Sequence, residues 1–368
     1  MADWRITFLR SLLFYIEKGY PLSVSIVKAK EDSKIKGINW DLIEEESRDI
    51  ILNFFSLYGR KRSEKVDYWI KNKERISPSL PDWMEKELSV YLDTKLLVSS
   101  LRKRTLWLRV NTLKTSEEKT ARELEKNGVL IERDKDFEFL YKVVESKVHV
   151  SSLDLVKDFR VIIQDKASVA VVNELEAEAG DELVDLSSAP GNKLSLFAML
   201  TENKFKAIAL DLDQKRLEKE RLFLKKAGVD LDRVSFVLHD STTLAMRSLV
   251  AQKVLLDAPC SSSGMIYNDP SILLSLKDKT KVDFFSRIQK EILRSAVQRL
   301  SPYLMVYSVC SIFPEEGEEI TDLFSDFLVP LRKKYSHPYR GFKSVQSTRL
   351  FPFSEQTEGF YIAKFKIQ

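Results

Sequence analysis

Two periodicities divide the chain. In the first hundred residues apolar side chains recur every three or four positions, as at Ile6, Leu9, Leu13 and Ile16 and again at Ile43, Ile50, Ile51, Phe54, Phe55 and Tyr58. That spacing lines one face of successive helices, and Gly19-Tyr20-Pro21 and Ser77-Pro78 interrupt them. Residues 1–95 are expected to form an all-helical domain. Near Leu96 the pattern changes. Residues 106–112 alternate as a half-buried strand does, Ser116-Glu117-Glu118 opens a helix that Asn127-Gly128 stops, and further strands are expected at 129–132 and 147–150. Residues 96–158 therefore read as a small α+β domain. From 159 onward short apolar runs at 182–186, 206–210, 234–238 and 253–256 alternate with helical stretches, one of them expected to reach Ala179-Gly180. This alternation predicts an α/β domain over 159–368, with a parallel sheet and crossover helices.

Candidate chemistry concentrates where those strands end, which is where open α/β sheets bind ligands. The run Val254-Leu255-Leu256 breaks into Asp257-Ala258-Pro259-Cys260, and Met305-Val306-Tyr307-Ser308-Val309 ends in Cys310. These are the chain's two cysteines. A free cysteine is usually a small packing residue, but a pair at two strand-to-loop junctions, one of them beside an aspartate, suits chemistry as well. The run at 183–186 leads through Ser187-Ser188-Ala189-Pro190-Gly191-Asn192-Lys193 into a helix, a cradle in which backbone N–H groups can meet a ligand. The sequence contains neither GxGxxG nor GxxxxGK[ST], so dinucleotide and P-loop readings lose their main support. Asp211 ends the next strand, where an acid can accept from a ribose diol or cap the following helix. Asp240 ends the strand after that.

Composition narrows the class without naming a reaction. With 368 residues, 44% hydrophobic and 31% charged, the chain has room for two or three domains and an ordinary globular make-up. No apolar run reaches the roughly 18–20 residues of a membrane span. Arg5, Arg10 and Glu17 break up the N-terminal apolar stretch, so a cytoplasmic location without a membrane partner is expected. Two cysteines do not make a disulfide framework. A net charge of +4 decides little. Three basic clusters, Arg60-Lys61-Arg62, Arg102-Lys103-Arg104 and Arg332-Lys333-Lys334, can each meet phosphate or form a solvated face. With no heptad pattern, a monomer is expected.

Taken together the motifs resemble those of the RNA cytosine-5 methyltransferases of the Sun/NOL1/NOP2 (RsmB/NOP) family. Asp257-Ala258-Pro259-Cys260-Ser261 is similar to the family's fourth motif, and Tyr307-Ser308-Val309-Cys310-Ser311, with the acids Glu315, Glu316, Glu318 and Glu319, to its sixth. The stretch from Asp185 to Lys193 resembles the cofactor loop DxCAAPGGK, with Ser187-Ser188 in place of Cys-Ala and Asn192 in place of the second Gly. Gln164-Asp165-Lys166-Ala167-Ser168, the LRVNTLK run from Leu108 to Lys114, and the closing strands after Arg349 match further elements, so the resemblance covers roughly residues 100–368. It implies a Rossmann-like S-adenosylmethionine-dependent methyltransferase sheet, preceded by a small RRM-like α+β domain that positions RNA. More loosely, it implies an N-terminal all-α, NusB-like domain that docks RNA.

The resemblance implies S-adenosyl-L-methionine as cofactor, held by Ser187, Ser188, Ala189, Pro190, Gly191, Asn192, Lys193, Asp211, Arg216, Asp240 and Asp257. It implies methylation of cytosine C5 in rRNA or tRNA. Cys310 would attack ring C6 so that C5 becomes nucleophilic, Asp257 would assist at N3, and Cys260 would help release the product. Several positions depart from the family pattern: Ser262 replaces a glycine, Tyr267-Asn268 stand where two arginines are common, and Phe353 replaces a histidine. These departures leave open a second expectation, an RNA-binding or ribosome-assembly protein of impaired catalysis on the same fold. Asn192 is expected to take the positive φ of the glycine it replaces. Trp107 suits either a base-stacking platform or a core.

Overall fold

The structure is a computed structural model that describes residues 3–244 and 251–367. Helices Trp4–Glu17, Leu22–Ser33, Trp40–Leu52 and Arg62–Asn72 fill the N-terminal region as the spacing predicts. Their apolar stripes close around Phe8, Leu12, Leu13, Ile26, Ile50 and Trp69. The next two helices, Asp82–Leu88 and Thr94–Ser100, belong to a different core. Met84, Leu88, Leu97 and Leu101 pack with Ile266, Tyr267, Leu273, Ile312 and Phe313. The helical region is thus split, and its second part is fused to loops of the C-terminal half.

Four short strands follow, β1 (Trp107–Val110), β2 (Val129–Arg133), β3 (Leu140–Ser146) and β4 (Val161–Ile163), forming an antiparallel sheet in the order β2-β3-β1-β4. Helix Glu117–Lys126 lies between β1 and β2, and Gly128 ends it with a φ of 79°. Three expectations need correction. The strand expected at 147–150 lies earlier, at β3, where the buried Leu140 and Tyr141 pair with β1. Strand β4 falls inside the 159–368 span expected to be α/β, yet it pairs with β1, because its Val161 completes the small sheet's core while Ile162 faces the main one. The helix after it stops at Asn173, not near 180. There Glu174 turns to accept the N–H groups of Arg332 and Lys333, at 2.8 and 3.2 Å.

The main sheet contains β5 (Glu182–Asp185), β6 (Lys206–Asp211), β7 (Val234–Leu238), β8 (Lys253–Asp257), β9 (Leu304–Val309), β10 (Thr348–Leu350) and β11 (Phe360–Phe365). Its order is β7-β6-β5-β8-β9-β11-β10, with β5 to β9 parallel and the last two strands antiparallel. Side chains alternate across it as a pleat requires. Leu255 and Val306 face helices Lys166–Asn173 and Asn192–Leu200, whereas Val254, Leu256, Met305 and Tyr307 face the long helix Thr280–Leu300. The chain order reverses between β5 and β8, so a crevice opens at their carboxyl ends. Asp185, Asp211, Asp257 and Cys310 end or follow strands on that side. Among the described residues no helix is long and apolar enough to cross a membrane.

Candidate active site

A cavity of about 320 Å³ lies at the crevice, walled by Ser187, Lys193, Asp257, Cys310, Asn268 and Glu358 among others. A larger hollow of about 830 Å³, between 90–96 and 336–353, holds none of the expected site residues. Size alone therefore does not mark the site.

The loop after β5 is tied down from within. Ser187 N–H donates to Asp185 Oδ1 (3.3 Å), Ser188 N–H to Leu210 O (2.9 Å) and Gly191 N–H to Ser188 O (2.8 Å). These donors fix the loop rather than reach outward, so the cradle offers a ligand its shape and its flanking acids. Gly191 takes a φ of 95° and the helix begins at Asn192. Asn192 therefore needs no left-handed conformation, contrary to expectation, because Gly191 alone makes the turn. Burial, with Glu220 adding to it, pushes the Asp185 carboxyl well above the usual range.

At the end of β6 the two readings of the acids separate. Asp213 caps the helix, accepting N–H groups of Lys215 (2.7 Å) and Arg216 (3.2 Å). Asp211 accepts only from Asp213 N–H on Oδ1 (3.0 Å) and keeps Oδ2 3.2 Å from the Arg216 guanidinium. That second oxygen is buried and has no hydrogen-bond partner among the described residues. Arg216 also donates to Ala189 O (2.5 Å), joining acid to loop. A carboxylate oxygen at the second strand end that has an ion pair but no hydrogen bond is one a ribose diol would satisfy, so these residues fit an adenosyl cofactor. Asp240 instead closes its own turn, accepting from Thr242 N–H (2.9 Å) and hydroxyl (2.6 Å). Asp211, Arg216 and Asp240 lie outside the wall of the 320 Å³ cavity, while the loop residues Ser188, Ala189, Pro190 and Asn192 are in it.

The two thiols meet, with their sulfurs 2.9 Å apart. Cys310 is on the cavity wall, and Cys260, 8% exposed, is behind it. Asp257 receives Lys193 Nζ at 2.5 Å on one oxygen and the Ser308 hydroxyl at 2.7 Å on the other. Burial alone would lower the Lys193 pKa, but Asp257 outweighs it and keeps the ammonium charged. Contact with Cys260, then burial and the carboxylates of Asp257 and Glu358, push the Cys310 thiol well above its ordinary value. At rest it is protonated. Both thiol loops rest on Glu316, which is fully buried and accepts Ser261 N–H (2.7 Å), Ser261 Oγ (2.5 Å) and Ser311 Oγ (2.5 Å). The acidic run marks Glu316 in the sequence without showing which acid turns inward.

Other residues of the site carry little sequence signal. The Asn268 amide donates to Glu358, whose carboxyl is lifted by burial and by Asp165 to about 8. Arg48, 7% exposed, reaches from the helical region to donate to Tyr267 O (2.9 Å), Asn268 O (3.1 Å) and Leu101 O (3.1 Å). Burial lowers its pKa to about 10. Tyr267-Asn268 is the dipeptide that replaces the family's arginines, so one distant arginine grips that loop by its backbone. No sequence signal announced it: Arg48 lies beside the apolar stripe of Ile43, Ile50 and Ile51, where a charge reads as a solvated face. Trp107 is a core residue, 4% exposed, with its indole N–H on Gln356 O (2.8 Å). Of the basic clusters, Arg62 pairs with Glu17 (2.7 Å) and Lys333 with Asp136, whereas Arg60 and Lys61 are exposed.

Sheet order, cofactor loop and strand-end acids define a Rossmann-like fold of the S-adenosylmethionine-dependent methyltransferase type. Residues 172–366 match the family described as 16S rRNA methyltransferase RsmB/F, and the chain belongs to that family. It is 30% identical over 335 residues to the human 28S rRNA (cytosine(4447)-C(5))-methyltransferase, an alignment covering 84% of this chain and 40% of that protein. It is 30% identical over 225 residues to the Pyrococcus abyssi tRNA (cytosine(49)-C(5))-methyltransferase, covering 56% of this chain and 70% of that one. The chain spans only 40% of the human relative and 54% of the Schizosaccharomyces pombe 25S rRNA (cytosine-C(5))-methyltransferase nop2. Among solved structures, that of PH0851 shares the fold with a TM-score of 0.81 at 24% identity over 98% of both chains. NSun6 from Pyrococcus horikoshii with SFG aligns with a TM-score of 0.69 at 21% identity, over 78% of this chain and 97% of that one.

Proposed function

We propose that this chain methylates C5 of cytosine in RNA, through a covalent adduct between Cys310 and ring C6. The observation that carries the reading is the pair of sulfurs 2.9 Å apart, one of them on the cavity wall beside the Lys193–Asp257 ion pair. Cytosine C5 is too weak a nucleophile to take a methyl group unaided, and addition of a thiolate at C6 makes it enamine-like. S-adenosylmethionine, when bound, supplies the methyl group as an electrophile. Ser187 to Lys193 and Asp211 would hold that cofactor. Cys310 is the attacker because it is the thiol that reaches the cavity. Its proton must leave as the base enters, and the Lys193 ammonium nearby favours the thiolate. Asp257, oriented by Ser308 and Lys193, would relay the Cys310 proton to ring N3, so that the ring gains no net charge as the C6–S bond forms. After transfer the C5 proton passes to solvent water, the C6–S bond breaks, N3 returns its proton through Asp257 to the departing Cys310 sulfur, and Cys260, touching Cys310 from behind, assists that departure.

The substrate in this reading is rRNA first and tRNA next, since the relatives' names include both. The small sheet, as an RRM-like unit, and the NusB-like helices would dock that RNA, with Arg60 and Lys61 as exposed phosphate contacts. Arg60→Glu with Lys61→Glu should weaken RNA binding and flatten its salt dependence. Truncation of residues 1–95 is the poorer test, because it would also remove Arg48 from the loop it holds. A cytoplasmic monomer remains the expectation, checked by light scattering and cell fractionation. The reaction itself is tested by incubating the chain with labelled S-adenosylmethionine and RNA from cells lacking the gene, then digesting to nucleosides. Label in 5-methylcytidine is expected. Tight cofactor binding with no label in any nucleoside would favour an assembly role instead.

A further inference from the structure

Helix Gln214–Lys226 turns Glu220 inward beneath the 187–192 loop, in line with the apolar Leu217 and Leu224. The side chain is fully buried. One oxygen accepts the Ser188 hydroxyl (2.8 Å), and the other has no hydrogen-bond partner among the described residues. Its methylene supports Gly191 so closely that a Cβ added there would sit 2.9 Å from Glu220 Cγ. The groups facing it are Asp185 and Ser188 from the end of β5, Asp211 from the end of β6 and Arg216 from its own helix. Arg216 is committed to Asp211 and to Ala189 O. A buried, half-satisfied carboxyl costs stability, and an apolar side chain would fill the same space. Packing alone does not account for an acid here.

We propose that Glu220 is a positioning residue of the cofactor site, seating the loop through Ser188 and Gly191 and, when ionised, strengthening the hold on a positively charged methyl donor. This rests on the cofactor reading above. Burial lifts the Glu220 carboxyl to about 7, so it is neutral in mild acid and anionic in mild alkali. A sulfonium cation at the loop favours the anion. Binding of S-adenosylmethionine should therefore tighten as pH rises through that value, whereas uncharged sulfur in S-adenosylhomocysteine should respond only to the seat.

Calorimetric titration of the full chain with both ligands, at about pH 6 and about pH 8, separates these effects. Affinity for S-adenosylmethionine should rise about fivefold over that interval, and affinity for S-adenosylhomocysteine should change by less than about twofold. In Glu220→Gln, which keeps the shape and the acceptor for Ser188, the rise should vanish while S-adenosylhomocysteine binds as before. Glu220→Ala, which removes the support under Gly191, should weaken both ligands about tenfold. A wild-type affinity flat with pH, or a Glu220→Gln variant that keeps the rise, would overturn the proposal and assign any pH effect to Asp185 or to nothing. If the wild type binds neither ligand, the cofactor reading fails, and this proposal with it.

Discussion

The loops after β8 and β9 each present a cysteine and share the carboxylate of Glu316, yet they are held in place by different parts of the molecule. The polar anchors of the β9 loop come from its own half of the chain: buried Arg349 donates to Ser311 O (3.0 Å) and Phe313 O (3.2 Å), and pairs with Glu318 (2.5 Å). The β8 loop is longer, and its far end is gripped by the helical region. Arg48 holds the carbonyls of Tyr267 and Asn268, Trp83 donates to Leu276 O (2.9 Å), and Leu22 N–H meets Asp269 (3.3 Å). Among the described residues, hydrogen bonds from the helical region thus reach the far end of the loop that carries the release thiol, whereas the loop that carries the attacking thiol meets those helices through the apolar contacts of Ile312 and Phe313.

The largest expected difference between the loops is chemical. Cys310→Ala should lower methyl transfer by a factor on the order of 10⁴ or more, as removal of a nucleophile does. Cys260→Ala should keep a single round of transfer, read in a rapid-quench assay, and lose repeated turnover. Next comes the grip on the β8 loop. Arg48→Ala leaves three buried carbonyls without their donor, so the urea midpoint should fall by the equivalent of about 3 kcal/mol. Arg48→Lys should recover little, because an ammonium does not span them as a guanidinium does. Product release should slow more than adduct formation in both variants.

A smaller, pH-dependent effect is expected on the Cys310 side of the cavity. The Glu358 carboxyl sits at about 8 in the fold against an ordinary 4.5, so folding favours its neutral form. That contribution is complete below about pH 4.5 and lost as pH rises through about 8. Glu358→Gln, neutral throughout, should match the wild type in acid and become progressively the more stable of the two as pH rises toward about 8, measured by urea unfolding. The smallest effect is local to the β8 loop. Ser262 stands at a family glycine and adopts a left-handed φ of 63°, which strains a residue with a Cβ. Ser262→Gly should raise stability by about 1 kcal/mol and leave methylation unchanged.

The chemistry was legible because it sits at strand ends, where a short apolar run stops at a reactive side chain. Asp257, Cys260 and Cys310 could be read that way, and so could the 187–193 loop. What was not legible depends on side chains meeting across long sequence distances. Arg48 lies 219 positions from Tyr267, and nothing near either residue announces the contact. Glu358 looks like one more acid until Asn268 is set beside it by the fold. The small sheet misled for a related reason: β4 has only three residues, and its partner is decided by which of two cores takes Val161 and Ile162. Trp107 suited stacking and core alike in the sequence and is a core residue, since the period of a strand does not show which neighbour covers it.

Denaturing gel electrophoresis of each thiol variant after incubation with S-adenosylmethionine and substrate RNA tests the division of labour most directly. Cys260→Ala should leave RNA bound to protein through the denaturant, because attack and transfer proceed while release stalls. Cys310→Ala should leave none. A trapped complex in Cys310→Ala and none in Cys260→Ala would reverse the two roles, and the absence of any complex from either, with no 5-methylcytidine from the wild type, would contradict the covalent mechanism altogether.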